Sequence, residues 1–266
     1  MTKMISSLQN PLIKNVLLLG EKPRARKEQN RIVIEGLREI RLAVMSGFKI
    51  TGLLYTPDLA SDDDLKSLLP EDTRTEVTEI SPDVFNRLAY RRDSGGLIAL
   101  AEPRRLAFSD LQLSTMPLLL VLETVEKPGN LGALLRTADA ANLDAVIICD
   151  PQTDIYNPNA IRSSIGCIFT MPVVTSSSED TIAWMRSTGI KTFGTALTAT
   201  HLYHETDFCQ PAAIIMGSEA NGLSSTWLEG ADDLIKIPMM GQIDSMNVSA
   251  SAAVVIYEAR RQRKFS

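Results

Sequence analysis

The stretch "EKPGNLGALLRTADAANLDAVII", residues 126–148, predicts how the second half of the chain folds. An apolar run at 118–122 precedes it and is typical of a buried strand, and Pro128 with Gly129 marks a turn. A second apolar run follows at 145–149. Between the two runs, apolar residues recur at the spacing of one helix face: Leu131, Leu134, Leu135 and Ala138. The order of strand, helix and strand therefore predicts a βαβ unit.

Two polar side chains of this helix are not needed to fill a core. Asn130 stands at the beginning of the helix, and Arg136 lies further along it. Because successive residues are about 100° apart around a helix axis, these two side chains point in directions about 120° apart. We therefore take both residues as candidates for a functional site.

Further apolar runs at 190–196, 211–216 and 234–237 alternate with helical stretches. Alternation of this kind predicts a mostly parallel sheet that is covered by helices on both faces. Sheets of this class bind ligands beyond the carboxyl ends of their strands, so the residues that follow each run are the next candidates.

Polar residues follow two of these runs. The hexapeptide "GSEANG", residues 217–222, places Glu219 between two glycines. The loop after 234–237 contains Ser245 and Asn247 and leads into a helix rich in small residues. Either loop alone is also typical of an ordinary turn, and it is their combination with Asn130 that suggests a site.

The first part of the chain has a pattern of its own. Short strand-like and helix-like segments alternate up to about residue 104, which predicts a separate compact α/β domain. Weak periodicity follows, and we place a linker at 105–116 between a domain at 1–104 and a second domain at 117–266. The predicted strands of the first domain are 31–36, 49–56 and 95–102, and its predicted helices are 37–45, 62–69 and 82–89.

Composition excludes several classes of protein. The chain has 266 residues, of which 44% are hydrophobic, and no window resembles a signal peptide or a membrane span, so we expect a cytoplasmic globular protein. Three cysteines without CxxC spacing and only two histidines, in "HLYH", predict no disulfide framework and no metal site. Nucleotide-binding GxGxxG and GxxxxGK[ST] patterns and the hydrolase GxSxG pattern are all absent from the sequence.

Charge is unevenly distributed along the chain. The net charge is -5, yet residues 1–41 carry nine Lys or Arg and only four acidic residues. Local field rather than total charge steers the binding of phosphate groups. The pattern is compatible with a nucleic-acid partner, although ordinary solvated charge blocks would give a similar one.

Taken together, these motifs resemble the SpoU (TrmH-like) family of the SPOUT superfamily, whose members are S-adenosylmethionine-dependent RNA ribose 2′-O-methyltransferases. "EKPGNLGALLRTADA" resembles the first family motif, "IIMGSEANGLS" the second and "IKIPMMGQIDSMNVSASAAVVIYE" the third. The N-terminal domain, with "RIVIEGLREIRLAV" and "GGLIALAE", is similar to the ribosomal-protein-like substrate-binding domain of the two-domain ribosomal-RNA members.

The resemblance implies a fold and a cofactor that composition does not reveal. It implies a C-terminal segment threaded into a deep trefoil knot, an arrangement too rare to be proposed from patterns. It also implies that S-adenosylmethionine lies bent in this knot, held largely by the backbone of the loops. The matching positions are Thr195, Leu197, Gly217, Ile237 and Met246.

The resemblance further implies the catalytic residues. Arg136 is expected to contact the phosphate and 2′-hydroxyl of the target nucleotide and to stabilise the developing alkoxide; whether it also accepts the proton is left open. Asn130 is expected to shape the site beside the ribose. Glu219, Ser245 and Asn247 are expected to fix Arg136 and the cofactor loops.

Partners and substrate also follow from the resemblance. A homodimer is expected, with ribosomal RNA, most specifically 23S, as the substrate. Transfer RNA as the substrate, or a catalytically silent RNA-binding factor on the same scaffold, are the alternatives. The expected RNA contacts are a basic N-terminal arm and a second basic turn, which contribute Arg24, Arg26, Lys27, Arg31, Arg91 and Arg92.

Overall fold

The computed structural model describes residues 4–69, 75–90 and 95–265. The chain divides into two compact units, one formed by the residues up to Arg104 with Tyr156–Thr170, the other by Arg105–Ile155 with Met171–Ser266. Within the described ranges, no helix is both long enough and apolar enough to cross a membrane.

A four-stranded sheet forms the centre of the first unit. Its strand order is β1-β4-β2-β3, and β4 runs antiparallel to both of its neighbours, whereas β2 and β3 are parallel. Three of these strands were predicted from the apolar pattern, whereas the four-residue β3 was missed because it alternates with charged residues. The strands are β1 Ile32–Glu35, β2 Ile50–Tyr55, β3 Glu76–Glu79 and β4 Leu97–Ala101.

The described residues up to Arg104 form five helices. The first begins at Asn10, whose side chain accepts a hydrogen bond from Leu12 N at 2.9 Å, and it buries Ile13, Val16 and Leu19 in the core of the unit. Most of the expected basic arm is helical, because Pro23 starts a second helical stretch directly after the first. The helices are α1 Pro11–Glu21, α2 Pro23–Gln29, α3 Leu37–Met45, α4 Asp62–Leu68 and α5 Pro82–Leu88.

Residues 156–170, which the sequence analysis assigns to the second domain, belong to the first unit by their contacts. They form the short helices α7 Pro158–Ser163 and α8 Cys167–Thr170. The Phe48 ring packs edge-on against Tyr156 and Phe169, with ring centroids 6.1 and 5.0 Å apart. Apolar packing of this kind explains why the segment joins the first unit, since it buries aromatic surface.

A seven-stranded sheet forms the second unit, and every pair of neighbouring strands in it is parallel. The order β7-β6-β5-β10-β8-β11-β9 places β5 and β10 together at the centre. The predicted class, a largely parallel sheet with flanking helices, is confirmed. The strands are β5 Leu118–Glu123, β6 Ala145–Cys149, β7 Val173–Ser176, β8 Lys191–Thr195, β9 His201–Leu202, β10 Ala212–Met216 and β11 Asp233–Lys236.

Four helices flank this second sheet: α6 Pro128–Ala140, α9 Ser178–Thr188, α10 Ser225–Gly230 and α11 Val248–Gln262. The last helix packs against α6 and β10, and its small residues Ala252 and Ala259 are fully buried there. Arg260 of α11 donates from Nε to Ala141 O at 2.7 Å, at the end of α6. The two helices are therefore held together by close packing and by a buried guanidinium.

The register of the central strands determines where the candidate site lies. Met216 at the end of β10 is paired with Leu122 of β5, and Ile215 with Gly194 of β8. Because all these strands are parallel, their carboxyl ends meet at one edge of the sheet. The loops that the sequence analysis singled out all leave from this edge.

Candidate active site

Gly217, directly after β10, allows a tight hairpin that presents Glu219. Ser218 N donates to Gly222 O and Gly222 N donates to Ser218 O, both at 3.0 Å. A Cβ built on Gly217 would lie 2.1 Å from the carbonyl carbon of Gly222, so no other residue fits beneath this turn without moving the backbone. Gly217 is thus required because the backbone of Gly222 approaches it closely.

Three loops meet at the carboxylate of Glu219. Asn130, in the first turn of α6, donates from Nδ2 to Glu219 Oε1. Asn247, the residue before α11, donates from Nδ2 to the same oxygen at 3.2 Å and lies 3.4 Å from Asn130 Oδ1. Asn247 also caps α11 by accepting from Ser249 N at 3.0 Å. Side chains far apart in sequence thus form one hydrogen-bonded cluster, which we call the Glu219 cluster: Lys127, Asn130, Glu219 and Asn247.

Lys127 is a member of the cluster that sequence reasoning missed. Its ammonium group pairs with Glu219 Oε2. The hydrogen bond and charge of Glu219 raise the pKa of Lys127 above its ordinary value. The signal was present in the sequence, since Lys127 directly precedes the helix that carries Asn130, but a lysine before Pro128 is also typical of a solvated turn.

Arg136 lies outside the Glu219 cluster. It is exposed on α6, and the carboxylate that was expected to fix it is bound instead to Lys127, Asn130 and Asn247. The physical reason is the helical geometry: a residue six positions after Asn130 points in a different direction from it. Ser245 also lies apart, because its hydroxyl donates to its neighbour Asp244 at 3.2 Å.

The residues expected to hold the cofactor lie at the carboxyl ends of β8, β10 and β11. Thr195 ends β8 and is half-buried, and its hydroxyl donates to Ile215 O at 2.9 Å. Leu197 is 60% exposed, and Met246 is exposed as well. Ile237 directly follows β11 and is half-buried.

The loop after β11 offers free hydrogen-bond donors. Within the described part of the chain, the backbone N–H groups of residues 239–246 make no hydrogen bond. The side chains of Ile243 and Met246 in this loop are exposed and apolar. Backbone donors beside apolar surface suit a ligand that has both a flat ring and polar groups, as S-adenosylmethionine has.

A second carboxylate, that of Glu123, is buried at the same edge of the sheet and binds the start of a neighbouring helix. Glu123, the last residue of β5, is buried and accepts from Ser224 N at 2.8 Å and from Ser224 Oγ at 2.5 Å. Ser224 is the residue before α10, and Trp227 of that helix donates from Nε1 to Ser178 Oγ at 2.9 Å. These bonds fix the starts of α9 and α10, and Glu123 has a structural role that the sequence did not suggest.

The six expected RNA contacts of the first unit fall into three groups. Arg24, Lys27 and Arg31 are exposed on and after α2. Arg26 is only 3% exposed and donates from Nη1 to Leu19 O at 2.6 Å, so its assignment as an RNA contact is wrong: it holds the end of α1. Arg91 and Arg92 lie outside the described residues.

Comparison with known proteins gives two matches along the chain. The sequence profile of the SpoU rRNA Methylase family matches residues 117–257, and that of the MRM3-like substrate binding domain matches residues 10–99. The chain is 30% identical over 258 residues to a 23S rRNA (guanosine(2553)-2′-O)-methyltransferase, RlmP, of Bacillus subtilis. The match covers 97% of this chain and 99% of that protein.

Solved structures agree with these matches. A crystal structure of an RNA 2′-O ribose methyltransferase is 36% identical and has a TM-score of 0.83 over 98% of this chain and all of that one. An AdoMet-bound rRNA methyltransferase from Sinorhizobium meliloti is 28% identical, with a TM-score of 0.89 over 97% of each chain.

Proposed function

The chain belongs to the SpoU rRNA methylase family, and we propose that it transfers a methyl group from S-adenosylmethionine to a ribose 2′-hydroxyl of 23S ribosomal RNA. The observation that carries the proposal is the Glu219 cluster, in which the first turn of α6, the Gly217 hairpin and the start of α11 meet. The similarity to the Bacillus subtilis enzyme over nearly the whole of both chains supports the choice of 23S RNA.

S-adenosylmethionine supplies a methyl group on a sulfonium that carries its own leaving group, so the protein has little acid–base chemistry to perform. We assign its binding to the loops of Leu197, Gly217, Ile237 and Met246, with the backbone after Thr195. The unpaired N–H groups of residues 239–246 support this assignment. Alignment of the ribose oxygen with the methyl group is then the main contribution of the chain.

Within the Glu219 cluster, we assign to Glu219 the positioning of Asn130 and Asn247, whose amides would border the ribose. Arg136, which is exposed, would meet the phosphate and the 2′-hydroxyl and stabilise the negative charge that develops on the oxygen. Ser245, in the loop before Asn247, would support the cofactor loops. Lys127, already paired with Glu219, joins this set as a residue that holds the carboxylate in place.

A homodimer is part of the proposal. Exposed apolar side chains of the second unit support it, namely those of Met240, Ile243 and Tyr257. Light scattering coupled to gel filtration tests it, because a dimer has twice the chain mass of 29.2 kDa. A measured mass equal to that of one chain at micromolar concentration would overturn the proposed homodimer. A cytoplasmic location is proposed because the ribosomal RNA substrate is there.

Arg24, Lys27 and Arg31 remain the proposed phosphate contacts of the first unit. Replacing all three by alanine should weaken RNA binding and lower the slope of log K against log salt concentration by up to about three. An unchanged slope would remove this surface from the proposal.

The decisive experiment measures tritium transfer from labelled S-adenosylmethionine into purified ribosomal and transfer RNA, followed by mapping of the 2′-O-methyl position. Incorporation into 23S RNA supports the proposal. Incorporation into transfer RNA alone would contradict the substrate. Cofactor binding without incorporation into either RNA would instead identify a silent RNA-binding factor.

A further inference from the structure

The first unit contains a large cleft that the proposed reaction does not use. Its volume is about 610 Å³, within the range of about 300–1,000 Å³ that small-molecule sites occupy. α1, α3, α7 and the residues after α5 line it. Its ionisable lining is balanced: Arg38, Arg87 and Arg162 face Glu21, Glu35 and Glu39. A balanced cleft is poorly suited to a polyphosphate and well suited to a flat, neutral group with polar edges.

An aromatic ring stands open at this cleft. Tyr90 is 71% exposed, although a large ring gains by burial, and its backbone N–H donates to Glu35 Oε2 at 2.9 Å. The guanidinium of Arg162 lies over the ring, 3.6 Å from its centroid, and Arg162 donates from Nη2 to Asn159 Oδ1 at 2.7 Å. The guanidinium of Arg162 therefore covers one face of the Tyr90 ring. The exposure of Tyr90 leaves the other face open for stacking.

A buried carboxylate faces the same cleft. Glu39, in the first turn of α3, is only 8% exposed and lines the cavity. Among the residues that the structure describes, none donates a hydrogen bond to its carboxylate or forms an ion pair with it. The carboxylate oxygens thus face the cleft with their acceptor positions free, and two adjacent N–H donors from a ligand could occupy them.

A stacking ring and an acceptor for two adjacent donors together specify the ligand. Single-stranded RNA is recognised by stacking of unpaired bases on aromatic and guanidinium planes and by hydrogen bonds to base edges. Guanine is the RNA base whose Watson–Crick edge presents two neighbouring N–H donors, at N1 and N2. We propose that this cleft binds an unpaired guanine of the RNA substrate, stacked on Tyr90 with its donor edge on Glu39. The proposal rests on the proposed action on RNA.

The test compares two fluorescein-labelled single-stranded RNAs, UUGUU and UUUUU, by fluorescence anisotropy at about 0.3 M salt, where phosphate contacts are weakened. The intact protein should prefer UUGUU. Tyr90→Ala should weaken the binding of UUGUU roughly tenfold, the usual effect of losing one base–aromatic stack. Tyr90→Phe keeps the ring and should bind nearly as the natural protein does. Met45→Ala removes an equally exposed apolar side chain of the same unit outside the cleft, and should change nothing.

Glu39→Gln tests the edge contact. It keeps the shape of the side chain but no longer accepts two donors, so the preference for UUGUU over UUUUU should fall about tenfold. Glu102→Gln, outside the cleft, is the matched control. Unchanged binding by Tyr90→Ala, or an unchanged preference in Glu39→Gln with native circular dichroism, overturns the proposal.

Methyl transfer is measured on the same preparations, so the two proposals fail separately. Transfer to 23S RNA with no guanine preference refutes the cleft alone. A guanine preference that depends on Tyr90 and Glu39, without transfer to any RNA, refutes the reaction alone.

Discussion

At the scale of single residues, the arrangement of the candidate site depends on which side chains bind the carboxylate of Glu219. Glu219 binds two amides and the ammonium of Lys127, and Arg136 is left exposed on the same helix that carries Asn130. This division separates a hydrogen-bonded part of the site from an exposed cation, which the proposed function assigns to the RNA. Substitutions in the two parts should therefore have different effects.

Arg136→Ala should reduce methyl transfer by about 10²- to 10³-fold, because a donor that stabilises a developing oxyanion contributes that much. The affinity for S-adenosylmethionine should stay within about twofold of the natural value, since Arg136 is not among the cofactor loops. Single-turnover transfer and calorimetric cofactor titration measure the two effects. Arg186→Ala, an exposed arginine of α9, is the control, and near-normal turnover of Arg136→Ala would contradict the assignment.

Cys149 should be an inert thiol. It is buried at the end of β6, and burial raises its pKa to about 12. In a variant with Cys167 and Cys209 replaced by serine, a disulfide reagent at pH 8 should react with Cys149 only as fast as the protein unfolds. Rapid labelling of the folded protein would show that the thiol is accessible.

The same thiol predicts a pH dependence. Because its pKa is higher in the folded state than the ordinary value near 9, its contribution to stability is complete below pH 9 and is lost as the pH rises towards 12. The difference in unfolding free energy between the natural protein and Cys149→Ala should shrink over that window. Urea unfolding at pH 8 and at pH 10.5 measures it, and a constant difference would contradict the prediction.

At the scale of elements, α11 joins the site to the sheet. Its first turn supplies Asn247, and its last turn supplies Arg263, whose guanidinium is buried. Burial, and secondarily the charge of Arg260, lower the pKa of Arg263 from its ordinary value. Four backbone carbonyls accept hydrogen bonds from this guanidinium, those of Phe208, Met116, Pro117 and Gln210.

Arg263→Met should destabilise the protein by about 2–4 kcal/mol, because it leaves several buried carbonyls without donors. Arg261→Met is a closely matched control: Arg261 is largely exposed and pairs with Glu258, so its loss should cost less than about 1 kcal/mol. Urea unfolding measures both variants. Equal effects would mean that the buried guanidinium does not hold the end of α11.

At the scale of the whole molecule, the chain path links the two units. Residues 156–170 lie between β6 and β7 of the second unit in sequence, yet they pack in the first. A fragment limited to residues 1–104 would lack them, and the ring of Phe48 would lose Tyr156 and Phe169. Sequence boundaries and packing boundaries therefore differ in this protein.

The fragment 1–104 should accordingly be less stable than the first unit is within the whole chain, and it should bind a hydrophobic dye. Calorimetry of the 266-residue chain should show the first unit melting at a higher temperature than the fragment, because residues 156–170 complete its packing. Phe48→Ala in the whole chain should likewise lower the melting temperature of the first unit and increase dye binding. A fragment that melts at the temperature of the full chain, without dye binding, would contradict this account.

The sequence by itself determined the elements and the edge of the sheet where the site lies. Apolar periodicity reflects burial within one segment, and it therefore located strands β5, β6, β8, β10 and β11 and helix α3. Parallel pairing of the strands then brought the loops of Asn130, Glu219 and Asn247 to one edge of the sheet. Short elements such as β3 and β7 gave too few residues for a periodic signal. The threading of the C-terminal segment into a knot remains a prediction from the family resemblance.

Only the tertiary structure decided the partners of individual side chains. It assigned Lys127 rather than Arg136 to Glu219, turned Arg26 inward to a helix end, and brought Tyr90 beside Arg162. These choices depend on the distances between segments that are remote in sequence. A local pattern records whether a residue is buried on its own element, but it carries no information on which distant charge or ring lies opposite.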